Sequence, residues 1–283
     1  MVFESIINPL SAEKRPWILL FIGFLYASLA LLLALWIFSD QAGLIMVFLT
    51  VLASVPFIYK LLKGEEEKDL VAEREMGLLK EHTKALSYLT FLFIGITIAF
   101  TFWYLILPAE VSLAAFEIQA DTISQINSPA TGHFIGKTNV FFQILLNNLK
   151  VLAFCILFSF FYGAGAIFIL TWNASVIATA IGMLAKSKLN AALVVEGASH
   201  VISYASILSS SFLRYFTHGI FEILAYFVGG LAGGIISFAV INHHFGTKKF
   251  YNVLMDSSDL LIISVVILFF AAVVEVFVTP ALF

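Results

Sequence analysis

Charged residues are scarce in this chain of 283 residues. Aspartate, glutamate, lysine and arginine together make up 12% of it, whereas soluble domains carry about a quarter. This shortage excludes an ordinary soluble globular protein. The formal net charge of −3 is also too small to attract a polyanion, so we expect no nucleic-acid partner.

Cysteine is nearly absent as well. The single Cys155 lies in an apolar run and has no second cysteine with which to form an intramolecular disulfide, so cysteine usage does not identify the redox compartment. The motifs of zinc peptidases (H-E-x-x-H), of serine hydrolases (G-x-S-x-G) and of phosphate-binding loops are also missing. We therefore expect a non-enzymatic protein without a cofactor. An unrecognised intramembrane metalloenzyme is the open alternative.

Apolar residues are what the chain has in abundance. They make up 61% of it, phenylalanine alone accounts for 30 residues, and the mean hydropathy is +1.02. A helix needs about 20 apolar residues to cross the hydrocarbon core of a membrane. Uninterrupted runs of this kind lie at 17–38, 42–62, 86–107 and 257–279, and interrupted ones at 149–171 and 213–241. The predicted fold class is all-α, a polytopic transmembrane helix bundle in the lipid bilayer with about seven crossings.

The stretch 173–210 is the least regular part of this pattern. An apolar piece at 174–185 is followed by Lys186-Ser187-Lys188 and then by a moderately apolar piece at 189–209. We interpret the first piece as a broken or re-entrant helix and the second as a full crossing. Backbone that is not helical at membrane depth must be covered by protein, so we expect this region inside the bundle.

The distribution of lysine and arginine predicts the orientation. With a cytoplasmic N-terminus, most of them fall on the cytoplasmic side: Lys14, Arg15, Lys60, Lys63, Lys68, Arg74, Lys80, Lys84, Lys186, Lys188, Lys248 and Lys249. Only Lys137, Lys150 and Arg214 fall elsewhere. The positive-inside rule therefore predicts a multi-pass cell-membrane protein with its N-terminus in the cytoplasm and its C-terminus outside.

Two connections between the crossings are long enough to meet partner proteins. Residues 63–85 mix charges of both signs with apolar residues, which is typical of a solvated or membrane-surface connector. The outer connection, 108–139, contains four apolar residues that suit a helix lying on the membrane surface: Phe116, Ile118, Ile123 and Ile126. We accordingly divide the chain into an N-terminal three-helix part (1–107), the outer connection (108–139) and a transmembrane core (140–283).

Ionisable residues at membrane depth are costly and therefore mark candidate functional sites. Glu196 and His200 are four residues apart, as are His218 and Glu222, so each pair shares one helix face. If the two helices are antiparallel neighbours, these four side chains could converge, and Glu275 could join them. Such a cluster could bind a metal ion, with these two histidines and their two glutamates as weak candidate ligands, or carry protons. The alternative is that each histidine bonds its own glutamate and only fixes helix packing.

Small and amide residues form a second pattern. Gly229-Gly230 and Gly233-Gly234 repeat at a spacing of four, which favours close helix packing within the chain or between copies of it. Asn147, Asn148 and Lys150 lie where the fourth apolar run begins. They are interpreted as a polar cap at the membrane interface.

The order of several short motifs resembles the stage II sporulation protein M family (DUF95). The residues that carry the resemblance are Asn147-Asn148, Phe154, Gly163, Gly165, Asn173, Thr217-His218-Gly219, Glu222, Gly229-Gly230 and Gly233, over about 140–280. Ala174 and Thr217 stand where the family pattern has glycine and proline. The N-terminal part, with Asn8-Pro9 and Arg15-Pro16-Trp17, is similar to the longer archaeal members.

The resemblance implies a membrane scaffold rather than an enzyme. In spore-forming bacteria the family member works with peptidoglycan-degrading partners during engulfment, and an archaeal relative has no such polymer to degrade. The leading hypothesis is a non-enzymatic scaffold or assembly factor in envelope remodelling, with protein partners or self-association. The competing hypothesis is a transporter or channel in which the intramembrane glutamates and histidines line a path for an ion or small solute.

Overall fold

The computed structural model describes residues 16–69, 82–127, 137–159, 164–196, 201–241 and 247–282. Within these ranges the backbone is helical apart from short turns and contains no strand. Seven of the helices are long and apolar enough to cross a membrane. The all-α class and the multi-pass membrane architecture expected from the sequence are confirmed.

The first three crossings form a tightly packed group. Helix α1 (Ile18–Ile37) is joined by a short 3₁₀ turn (Ser39–Gln41) to α2 (Ala42–Asp69), and α3 (Thr83–Ile106) follows. Helices α1 and α3 approach so closely that a Cβ added at Gly95 would collide with the backbone of Leu20. Only glycine permits such an approach, because any side chain there would overlap the neighbouring backbone. Helices in lipid associate through close packing of this kind.

The outer connection packs into the bundle instead of only lying on its surface. It forms two short helices, α4 (Ala109–Ala115) and α5 (Glu117–Asn127). Phe116, between them, is buried with its ring centroid 5.3 Å from that of Tyr104. Ile118, by contrast, is exposed as expected. The prediction of a surface helix is therefore wrong for Phe116, because that ring fills a gap at the end of α3.

The second half of the chain contains four long helices. They are α6 (Lys137–Ser159), α7 (Ala164–Glu196), α8 (Val201–Ile241) and α9 (Lys248–Val273), and α9 continues through a π-helical turn (Val274–Val278) into α10 (Thr279–Leu282). Helix α8 is the centre of the bundle: 83% of its most apolar stretch is buried, compared with 22% for α6.

The break predicted at Lys186-Ser187-Lys188 is wrong. These residues lie inside α7, which runs without interruption and crosses the membrane as Ile167–Leu189. Three polar residues do not end a helix whose backbone hydrogen bonds are made internally. The crossing expected at 189–209 is thus replaced by one that begins about twenty residues earlier, and the total of seven is unchanged.

The start of the fourth crossing is also corrected. Among the described residues, the apolar stretch of α6 is Thr138–Ser159, which begins eleven residues before the predicted 149–171. Asn147, Asn148 and Lys150 therefore lie at the middle of this crossing rather than at its interfacial end.

The position of α7 changes the side on which two lysines lie. Lys186 donates a hydrogen bond to Ser112 Oγ at 2.9 Å, and its Nζ is 4.9 Å from the ring centroid of Tyr104. Tyr104 and Ser112 flank the C-terminal end of α3, and Lys63, near the end of α2, lies at its other end, where Glu65 contacts His82. The placement of Lys186 and Lys188 on the same side as Lys63 is therefore wrong, since α7 has already crossed the membrane when it reaches them.

Candidate functional site

Two glutamates from different crossings meet inside the bundle. Glu222 of α8 and Glu275 of the π-helical turn are joined by a side-chain hydrogen bond. The amide of Asn148, on α6, donates a second hydrogen bond to Glu222 Oε1 over 2.6 Å. We call these three residues the carboxyl cluster. It links α6, α8 and the end of α9.

The hydrogen bond between the two glutamates requires a proton. An ionised carboxylate has only acceptors, so one of the two carboxyl groups must be protonated to donate to the other. Two negative charges at this depth would also repel each other strongly in a medium of low dielectric constant. A cluster with this bond holds at most one negative charge, and the Asn148 amide donates to its Glu222 carboxyl group.

The π-helical turn determines where Glu275 points. In a π-helix each N–H bonds five residues back, which inserts one extra residue into the turn and rotates the side chains after it. The hydroxyl group of Thr279 also donates to a carbonyl five residues back, that of Val274, at 3.3 Å. Such turns are frequent at functional sites. Here the turn brings the carboxyl group of Glu275 to α8.

The surroundings of the cluster are tightly packed. Tyr226, one turn after Glu222, is 2% exposed and interacts electrostatically with both glutamates. Ser159 donates a hydrogen bond to the Gly230 carbonyl at 3.0 Å, which ties α6 to α8 below the cluster. A Cβ at Gly233 would lie 2.9 Å from that of Ser159. Small residues and internal hydrogen bonds together hold the two helices in this register.

A cavity lies elsewhere in the bundle. It encloses about 170 Å³ between α3, α7 and α8, and its lining includes Phe93, Ile181, Ile223 and Phe227. Neither glutamate of the carboxyl cluster is among the described residues that line it. Its walls are almost wholly apolar side chains, so it offers no polar route to the cluster.

The structure locates only part of the predicted five-residue cluster. Glu222 and Glu275 meet, whereas the side chains of Glu196, His200 and His218 lie outside the described residues. The convergence of the two Glu–His pairs therefore stays a prediction, and so does the metal site built on them. Among the described residues, no group of three metal-ligating histidine, cysteine, aspartate or glutamate side chains occurs.

The residues of the family motifs occupy different environments. Asn148 is buried, whereas Asn147 is exposed on the other side of the same helix. Asn173 lies inside α7 and donates to the Ile169 carbonyl at 2.7 Å, so the helix does not open there. Gly219 has open space around it, whereas Gly229, like Gly233, packs against α6. Gly163 lies outside the described residues.

Two polar contacts were missed by the sequence reasoning. His82 Nδ1 and Glu65 Oε2 are 2.6 Å apart, and both side chains are almost completely buried. Gln119, from the outer connection, is 0% exposed and donates to the Gly43 carbonyl at 2.8 Å. Each contact joins segments that are far apart along the chain, and no local pattern signals it.

Comparison with protein families identifies what the chain is similar to. The family model described as Stage II sporulation protein M matches residues 88–280, more than half of the chain. The matched region begins in α3 and contains all three residues of the carboxyl cluster. No curated protein and no solved structure matches the chain.

Proposed function

Because this chain belongs to the stage II sporulation protein M family, we propose that it is a non-enzymatic membrane scaffold or assembly factor. The observation that carries the proposal is the closed carboxyl cluster. Its polar atoms bond to one another across three helices, as expected of side chains that hold a bundle together.

The proposed role is to hold partner proteins at the envelope. A bundle of seven crossings gives partners a platform, and the two long connections, 63–85 and 108–139, are the candidate surfaces for contact with them. Envelope remodelling is the process that the family resemblance favours. The partners themselves are to be identified by the experiment below.

The proposed orientation has the N-terminus in the cytoplasm and the C-terminus outside. With the corrected positions of Lys186 and Lys188, ten of the fifteen lysines and arginines still fall on the proposed cytoplasmic side. The outer side holds Lys137, Lys186, Lys188 and Arg214, and Lys150 lies within a crossing. The remaining bias supports the same orientation under the positive-inside rule.

Proton transport is the second candidate function. The observation that favours it is the meeting of Glu222 and Glu275 inside the bundle, since acidic residues within a membrane serve as proton relays in transporters. Transport also requires a hydrated path on both sides of the cluster. The packed surroundings of Tyr226 and Gly230 favour the scaffold instead.

One pair of experiments separates these functions. In the native host, deletion of the gene should lower the membrane-bound amount of at least one envelope protein several-fold, and the wild-type gene should restore it. In vesicles containing the purified protein and a pH-sensitive dye, proton uptake should not exceed that of protein-free vesicles. Uptake that the variant Glu222→Gln abolishes would instead establish the transporter and contradict the scaffold.

A further inference from the structure

Helix α6 presents a polar face to the outside of the bundle. Four polar side chains on it are exposed and follow one another at spacings of four, four and three residues: Asn139, Gln143, Asn147 and Lys150. Residues at these spacings lie on one side of a helix. We call them the α6 polar stripe. Asn148, in contrast, points inward to Glu222.

The stripe extends to the middle of the membrane. Lys150 is nine residues from Ser159 and twelve from Thr138, the two ends of the apolar stretch that the structure describes in α6. At about 1.5 Å per residue, its Cα is roughly 14 Å from the nearer end, which is further than an extended lysine side chain reaches. An extended Lys150 side chain is therefore too short to reach either end of this apolar stretch, unlike lysines near helix ends, whose ammonium groups reach the interface.

No described residue of this chain satisfies the polar groups of the stripe. In the part that the structure describes, none of the four side chains has a hydrogen bond or ion pair. Polar groups that face hydrocarbon without a partner are strongly unfavourable, and a charged one especially so. A second molecule that covers the stripe removes this penalty.

We propose that the α6 polar stripe binds a transmembrane helix of a partner protein that carries a carboxylate near its own middle. The carboxylate pairs with the Lys150 ammonium, and the amides of Asn147 and Gln143 bond polar groups further along the partner helix. This assignment rests on the proposed scaffold function and names the chemistry of its partner. The exposed Leu146 and Phe154 beside the stripe supply apolar contact.

A second copy of this chain fits the stripe poorly. Two copies in one membrane are related by an axis along the membrane normal, so each residue in their interface meets its counterpart at the same depth. Lys150 would then face Lys150, and two like charges in a medium of low dielectric constant repel each other. A headgroup of an anionic lipid is too shallow to reach the same ammonium.

The test uses a model helix in place of the unknown partner. The full-length protein is placed in phosphatidylcholine vesicles with a labelled polyleucine peptide that contains one central glutamate, and association is measured by fluorescence energy transfer. We expect the glutamate peptide to bind at least tenfold more tightly than an all-leucine peptide. The variant Lys150→Leu should lose this preference, and Asn147→Leu should weaken it several-fold.

A matched control removes a lysine elsewhere. Lys248→Leu, at the exposed start of α9, should bind the glutamate peptide as the wild-type protein does. Lys150→Leu and Lys248→Leu should both retain the melting temperature of the wild type, because each replaces an exposed side chain. Equal preference for the glutamate peptide in the wild type and in Lys150→Leu would overturn the proposal.

Two further results would assign the stripe to another occupant. With Cys155→Ala as background, Asn147→Cys should form no disulfide between copies, and an efficient one would indicate a dimer interface. Preference for phosphatidylglycerol that depends on Lys150, without peptide binding, would indicate a lipid site. If gene deletion lowers the amount of an envelope protein but the α6 polar stripe binds no peptide, the scaffold proposal holds. Only the proposed binding surface is then contradicted.

Discussion

At the scale of single residues, the interior polar contacts of this protein join distant parts of the chain. Asn148 bonds Glu222 across 74 residues, and Gln119 bonds Gly43 across 76. The sequence marks Glu222 and Glu275 as unusual, because acidic residues are rare within membrane helices. It does not reveal their partners, because an asparagine in an apolar run is equally compatible with an interfacial cap.

The hydrogen bond between Asn148 and Glu222 should be measurable by a double-mutant cycle. The substitutions Asn148→Leu and Glu222→Leu should each lower the free energy of unfolding, and their effects should be less than additive by about 0.5–2 kcal/mol. The reason is that each single variant leaves the other polar group buried without this partner. Reversible unfolding in mixed micelles gives the four free energies. Strictly additive effects would contradict the contact.

Asn147 provides the matched control for this cycle. Its side chain is exposed, about 100° around α6 from that of Asn148, so Asn147→Leu replaces a polar group that faces away from the bundle. It should leave the free energy of unfolding unchanged or raise it. A loss as large as that of Asn148→Leu would mean that the inward and outward faces of α6 are wrongly assigned.

At the scale of helices, packing depends on where small residues meet. The glycines of α8 predict close packing, and the structure shows that this is realised at Gly229 and Gly233 against α6. Gly219 belongs to the same helix and the same family motif, yet a Cβ there would contact nothing within 4 Å. The sequence spacing identifies a helix rich in glycine. Which of its glycines are required for close packing depends on where the neighbouring helix lies.

Alanine substitutions should separate these two kinds of glycine. Gly233→Ala should destabilise the protein by about 1–3 kcal/mol, because its methyl group would overlap Ser159 and overpack the contact. Gly219→Ala should be neutral or stabilising by up to about 1 kcal/mol, since alanine is the better helix former. Thermal unfolding of the two variants beside the wild type measures both. Equal losses would contradict the register of α6 against α8.

At the scale of the whole molecule, the seven crossings place residues on two sides of the membrane. Because α7 crosses without a break, Ser187 lies at the same end of the bundle as Ala109, and Lys63 lies at the other. The helical bundle determines this relation between the three residues. Which end faces the cytoplasm is a separate matter, for which the lysine and arginine bias is the guide.

Cysteine labelling tests the arrangement and the orientation together. In a Cys155→Ala background, Ser187→Cys and Ala109→Cys should react in intact cells with a maleimide that cannot cross membranes. Lys63→Cys should react only after the cells are permeabilised. Reaction of Ser187→Cys together with Lys63→Cys would contradict the continuous α7. The complete reverse pattern would keep the fold and invert the proposed orientation.

The sequence by itself determined the class of the protein and the number of its crossings. Both follow from the length of apolar runs, since a bilayer of fixed thickness accepts only helices or closed barrels of sufficient length. The order of the motifs over about 140–280 also predicted the family, and the family model matches residues 88–280. These properties are local, or additive along the chain, and need no knowledge of contacts.

Only the tertiary structure decided the boundaries of α6 and α7, the end at which Lys186 lies, and the partners of Glu222. Apolar composition is similar on both sides of residue 149 and of Lys186, so hydropathy does not choose between alternative crossings there. The choice depends on helix register, which is determined by contacts such as Asn148 with Glu222 and Lys186 with Ser112. A shift of a few residues would bury other polar groups without partners, and that penalty selects the observed fold.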